Sequence, residues 1–148
     1  MGNVLGQSLV ILSGIGLNPR AAEILAENWL RDQGFQTRRA VRVKWQKVDF
    51  FGADVMAIAP DGTKRFVQVT TSKRAEHVRQ RRRRLEQFPW HSTDHVYIFQ
   101  LVERRSPPDR RQVDRFFRVH EYSPAGRKWR VWSEVIQVPP LMTRKQKE

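Results

Sequence analysis

Asp54 and Gln68 are the residues whose setting first points to chemistry. Asp54 stands between Ala53 and the apolar run Val55-Met56-Ala57-Ile58, and Gln68 stands between Val67 and Val69. Each is a polar group inside an otherwise apolar, strand-like segment. Burying such a group costs about 2–7 kcal/mol unless it bonds a partner or a metal. A cost of that kind marks a candidate site. Glu23 and Glu27 lie one turn apart beside an apolar helical stripe. Taken alone, two acids near a positive helix N-terminus read as solvated residues. Asp49, five residues before Asp54, reads as a strand-start residue rather than a further ligand. His77, His91, His95 and His120 show no zinc-helix spacing and read as surface or core residues. Cysteine is absent, which excludes disulfides, thiolate metal sites and a thiol nucleophile.

The charge balance narrows the partners. The chain has 148 residues, enough for a single domain (1–148) with its own core, and carries 28 Lys plus Arg against 15 Asp plus Glu, a net charge of +13. That excess is the footprint of a nucleic-acid binder. Two basic stretches are the candidate phosphate contacts: Arg38, Arg39, Arg42 and Lys44, then Lys73, Arg74, Arg79, Arg81, Arg82, Arg83 and Arg84. So many arginines repel one another unless something anionic lies alongside, and phosphate fits. No segment is apolar for long enough to span a bilayer, so no membrane partner is expected. Residues 4–17 are fairly apolar but are interrupted by Gly6, Gln7, Ser8, Gly14 and Gly16 and lack a basic lead. They read as an N-terminal arm rather than a signal peptide, and an intracellular, cytoplasmic protein is expected.

Local signals place the elements that must position these residues. Asn18-Pro19 is a helix start, with Asn as cap and Pro in the first turn. Ala22, Leu25, Ala26, Trp29 and Leu30 then form a buried face, and Gly34 ends the helix. Residues 35–45 read as one strand. Val48–Ala59 and Lys64–Ser72 read as a hairpin around Pro60-Asp61-Gly62-Thr63. Residues 73–88 read as a basic helix broken by Pro89, and His95–Val102 as a strongly apolar strand. A second hairpin, Phe116–Tyr122 with Lys128–Val138, turns at Pro124-Ala125-Gly126, and residues 139–148 read as a polar tail. The fold class is α/β, with a central mixed β-sheet flanked by helices.

The order of a helical Glu, a strand Asp and a polar half-motif on the next strand resembles the PD-(D/E)xK nuclease superfamily. Within it the chain is most similar to the archaeal-type Holliday junction resolvases, including phage-encoded ones. Glu23 lies eleven residues before Gly34-Phe35, and the basic strand Arg38-Arg39-Ala40-Val41-Arg42 follows. The resemblance covers roughly residues 20–88. It implies a restriction-endonuclease-like fold and a metal-dependent, structure-selective DNA endonuclease that resolves four-way junctions. Glu23, Asp54, Gln68 and Lys73 would be the catalytic positions. Mg²⁺, with Mn²⁺ as substitute, would be held by Asp54, the amide oxygen of Gln68, the main-chain carbonyl of Val69 and a water-mediated Glu23, a hard-oxygen set.

The chain departs from that pattern in one place. Gln68-x-Thr70 stands where the family has Glu-x-Lys, so the lysine that orients the attacking water is missing. Lys73 is the nearest replacement, with Lys64 and Lys47 more distant. The alternative is a non-catalytic nucleic-acid-binding module that keeps the nuclease fold. Cutting both strands of a four-way junction implies a symmetric homodimer. Residues 4–17 and His95–Val102, with Trp129 and Trp132 as aromatic anchors, are the candidate interface.

Overall fold

The cap that the sequence announces is formed. In a computed structural model describing residues 18–43, 46–105 and 113–139, Asn18 is extended and its Oδ1 accepts the Ala21 N–H at 2.8 Å. Helix α1 runs Pro19–Asp32 from that cap. It buries Ala22, Leu25, Ala26 and Leu30. At its end the Phe35 N–H reaches back to the Leu30 carbonyl, with Gly34 at φ +94 making the reversal that an L side chain resists. The N-terminal arm and residues 140–148 of the tail fall outside the described residues.

The chain then builds one side of a mixed sheet. Strand β1 (Gln36–Arg39) pairs antiparallel with β4 (Val55–Ile58), and β4 pairs antiparallel with β5 (Lys64–Thr70). The β4–β5 turn is the expected one. Gly62 sits at φ +87, and Asp61 Oδ1 accepts from both the backbone N–H and the hydroxyl of Thr63. Residues 35–45 are not one strand, however. The Ala40 N–H bonds the Asp54 carbonyl at 2.7 Å, where β4 has not yet begun. Beyond that point β2 (Val41–Val43) pairs with β3 (Gln46–Val48) as a separate ribbon.

Between β3 and β4 the chain makes a tight turn closed by reciprocal hydrogen bonds between Phe50 and Ala53. Both central residues have positive φ, Phe51 at 56 and Gly52 at 100, the pattern of a type I′ turn. Gly52 is required there twice, because a Cβ would also meet Leu85 Cδ2 at 3.2 Å. Phe51 has no such licence, and holding a bulky residue in this region costs about 1–2 kcal/mol.

Helix α2 (Ala75–Glu86) is the crossover that makes β6 (His95–Arg105) parallel to β5. Strand β7 (Val113–Ser123) runs antiparallel to β6. The expected strand Lys128–Val138 is two pieces, β8 (Lys128–Val131) and β9 (Ile136–Gln137), both paired to β7. The break falls where Trp132 turns inward, its indole N–H donating to Glu121 at 2.9 Å and its ring lying edge-on to Tyr97.

Each face of the sheet has its own core. Leu25, Leu30, Val55, Val67, Val69, Phe99 and Phe117 pack on the α1 side, and Phe66, Leu85, Trp90, Ile98 and Tyr122 on the α2 side. This overturns the expectation that His95–Val102 forms an intersubunit surface. That segment is the middle of the sheet, with Ile98 0% and Phe99 1% exposed. Burial of each such side chain is worth about 1.5–3 kcal/mol to the monomer itself. Trp129 and Trp132 are likewise half-buried within the chain. The Trp129 indole N–H donates to Glu86 at 2.9 Å and its ring packs on Tyr122.

Candidate functional site

Asp54 occupies the fork where β4 separates from β5. Its backbone N–H donates to the Val67 carbonyl at 2.8 Å, and its Oδ2 accepts the Val69 N–H at 2.8 Å. The carboxylate thus stands in for a ladder partner that the shortened β4 does not supply. It is 4% exposed, and a charge-assisted bond of this kind returns about 1.5–3 kcal/mol of its desolvation cost. Val55 pairs with Val67, and the Asp54 N–H bonds that same Val67, so the regular register ends at Val55 and Asp54 bulges from the ladder. The structure therefore places the Asp54 carboxylate against the main chain of Val69.

Gln68 carries the more telling detail. Its Oε1 is buried and has no hydrogen-bond partner among the described residues. An orphaned amide oxygen is costly unless a donor or cation meets it. Strand alternation sends Gln68 and Thr70 to the α2 side with Phe66, and Val67 and Val69 to the α1 side. Thr70 is 2% exposed and its hydroxyl accepts the Ser72 N–H, so the position where the resemblance implies a lysine is a buried, hydrogen-bonded residue at the end of β5. Lys73 follows directly and is exposed, as is Lys64 at the far end of β5.

Glu23 comes from α1, which packs against β1, β4 and β5. The solvated reading of the two helical acids does not hold, since Glu23 is 8% and Glu27 6% exposed. Glu27 is spoken for. It accepts the Thr37 hydroxyl at 2.9 Å and pairs with Arg31 at 3.3 Å and Arg39 at 3.2 Å, while Arg31 Nε donates to the same hydroxyl. It ties α1 to β1. Glu23 and Glu27 line one groove of about 630 Å³, bordered by Arg20, Arg31, Arg38 and Arg39. Four arginines against two acids make it attractive to an anion, with carboxylates set among them. Asp54 is not among its lining residues. Asp49 is a turn anchor, its Oδ1 accepting the Gly52 N–H and its Oδ2 the Arg84 guanidinium at 2.6 Å.

The arginine helix is divided between two duties. Lys73, Arg74, Arg79 and Arg83 are exposed, as is Arg38 on β1. Arg84 is exposed but held by Asp49, and Arg39 is held by Glu27. Arg81 and Arg82, also candidate phosphate contacts, are half-buried and make contacts within the chain. Arg81 donates to the His77 carbonyl. Arg82 Nη2 bonds His120 Nδ1 at 2.7 Å and its guanidinium lies 5.1 Å from the Trp129 ring centre. The side chains of Arg42 and Lys47, and Lys44 entirely, fall outside the described residues.

His120 is the group that sequence reading passed over. Its Nε2 bonds Gln100 Oε1 at 3.0 Å, and Gln100 Nε2 donates to the Ser72 carbonyl. An arginine donating to Nδ1 requires the neutral ring there. Burial first, then the charges of Arg82 and Arg118, lower its pKa to about 4 from 6.5. A depressed base is protonated in the unfolded chain before the folded one. Stability is therefore full above pH 6.5 and falls as pH drops from 6.5 to about 4, by at most about 3 kcal/mol. Denaturant melts across that window should show the loss in wild type. His120→Asn, which can still accept and donate, should show a flatter curve. Equal curves would reject the assignment. A periodic signal for this network existed, because Gln100 on β6 and His120 on β7 are polar interruptions of apolar strands, like Gln68 on β5.

Compared with known proteins, the chain matches no family model, no curated protein and no solved structure.

Proposed function

We propose that this protein is a metal-dependent DNA endonuclease that acts on branched DNA, built on a restriction-endonuclease-like core. One observation carries the reading: a sequestered carboxylate, Asp54, at a strand fork, bonded to the main chain of the strand that also carries the orphaned oxygen of Gln68. The helix bearing Glu23 covers those strands, and the chain's charge of +13 suits a polyanion. A mixed sheet between two helices is also what the nuclease resemblance implies.

Among the described residues no group of three or more His, Cys, Asp or Glu side chains is placed to hold a metal. The donors here differ in kind: the Asp54 carboxylate and the Val69 carbonyl, joined either by the Gln68 amide oxygen on the α2 side or, through water, by Glu23 on the α1 side. They are hard oxygens and fit Mg²⁺, which keeps several waters of its own. Bound there, the ion would acidify a water and neutralise charge on the scissile phosphate. The protein's own part is to hold the strand fork rigid through the Asp54–Val69 bond and to bind flanking phosphates with its exposed basic residues. A two-fold dimer of such chains would supply paired cuts.

A second reading, a DNA-binding module without cleavage, is favoured by the closed Thr70 position, where no lysine stands. Labelled four-way junction, duplex and single strand, incubated with the protein in Mg²⁺ or Mn²⁺, separate the two. Cleavage confined to the junction and stopped by chelation is the expected result. Tight binding with every strand intact would establish the second reading instead.

A further inference from the structure

Phe51 is the exposed aromatic that the proposed chemistry leaves unused. It is 59% exposed, at the tip of the Phe50–Ala53 turn, three residues before Asp54. Its ring stacks on Phe88 with centroids 3.9 Å apart and planes 25° apart. Behind it an aromatic stair descends into the core, Phe88 to Trp90 at 4.6 Å and Trp90 to Phe66 at 4.7 Å. The stair is pinned by the Trp90 indole N–H on the Leu85 carbonyl. The turn is pinned too: Asp49 holds Gly52 and Arg84, and the Arg84 side chain lies within 3.6 Å of where a Gly52 Cβ would stand.

A hydrophobic ring in a left-handed backbone position gains little from burial at that exposure. The ring is stacked on Phe88 and still more than half exposed, on a turn that the Arg84 side chain buttresses. We propose that Phe51 is a stacking platform for an unpaired nucleobase. The inference rests on the nucleic-acid reading above and names the substrate feature: DNA with unstacked bases, at a branch point or in a single strand. Aromatic rings take any base on the π-face, and neighbouring cations take the phosphate.

The probes are a single strand carrying 2-aminopurine and the matching duplex, titrated against full-length protein. Wild type should quench the probe. Phe51→Ala should weaken single-strand binding about tenfold and leave duplex binding unchanged. Phe51→Trp should restore both affinity and quenching. Phe51→Leu, which keeps apolar packing on Phe88, should behave like the alanine variant while melting at the wild-type temperature. Equal single-strand affinity in wild type and Phe51→Leu overturns the platform, as does an equal loss on duplex and single strand. A wild-type protein that binds neither probe overturns the nucleic-acid reading itself.

Discussion

Asp54→Asn should stop junction cleavage while leaving DNA affinity equal or higher. Asparagine is nearly isosteric, and its amide oxygen can still accept the Val69 N–H that Oδ2 now takes at 2.8 Å. The strand fork therefore survives. What is lost is the carboxylate of the proposed metal site. A metal's contribution to stabilising the transition state is several kcal/mol. At about 1.4 kcal/mol per tenfold, the cleavage rate should fall by at least about a thousandfold. Removing a negative charge from a phosphate site cannot weaken binding by electrostatics, so affinity measured in parallel should hold or rise. Wild-type cleavage by this variant would remove Asp54 from the site. Lost affinity together with a lowered melting temperature would show the carboxylate to be structural.

The second large effect belongs to the exposed cations. Replacing Lys73, Arg74, Arg79 and Arg83 with alanine should lower affinity for duplex by about two to three orders of magnitude at moderate salt. It should also flatten the dependence of log K on log salt by up to about 0.9 per residue removed. These four are the informative choice because they are exposed and cost the fold little. Among the described residues, the one ion pair they make, Arg74 with Glu76 at 3.7 Å, has both partners in solvent. The contiguous run Arg81–Arg84 is the wrong target. Arg82 supports His120 and Trp129, Arg84 holds the Asp49 turn, and truncating Arg82 would leave the buried His120 acceptor unpaired. An unchanged salt slope in the four-residue variant would place the DNA on another surface.

The local elements were legible in the chain. Asn18-Pro19, Gly34 and the Pro60–Thr63 turn act on their immediate neighbours, so the local sequence specifies them, and α1 and the β4–β5 turn form where those signals place them, although the first arm is Val55–Ile58 rather than Val48–Ala59. The oddity of Asp54 and Gln68 was legible for the same reason: a polar group inside an apolar strand is a one-dimensional fact.

Their partners were not. That the Asp54 carboxylate replaces a ladder bond to Val69 depends on β4 starting at Val55, which depends on how β1 docks at Ala40. Glu27 became an anchor only when β1 brought Thr37 and Arg39 against α1. Arg82 found His120 across thirty-eight residues of chain. His95–Val102 looked like surplus apolar surface and proved to be the centre of the sheet, because its faces are covered by segments distant in sequence. The sequence by itself determined the helices, the capped and glycine-marked turns, and which side chains would be expensive to bury; where the strands break was not in it. Tertiary structure alone decided what each of those side chains meets, because strand pairing and helix docking are long-range choices that no local window of the chain contains.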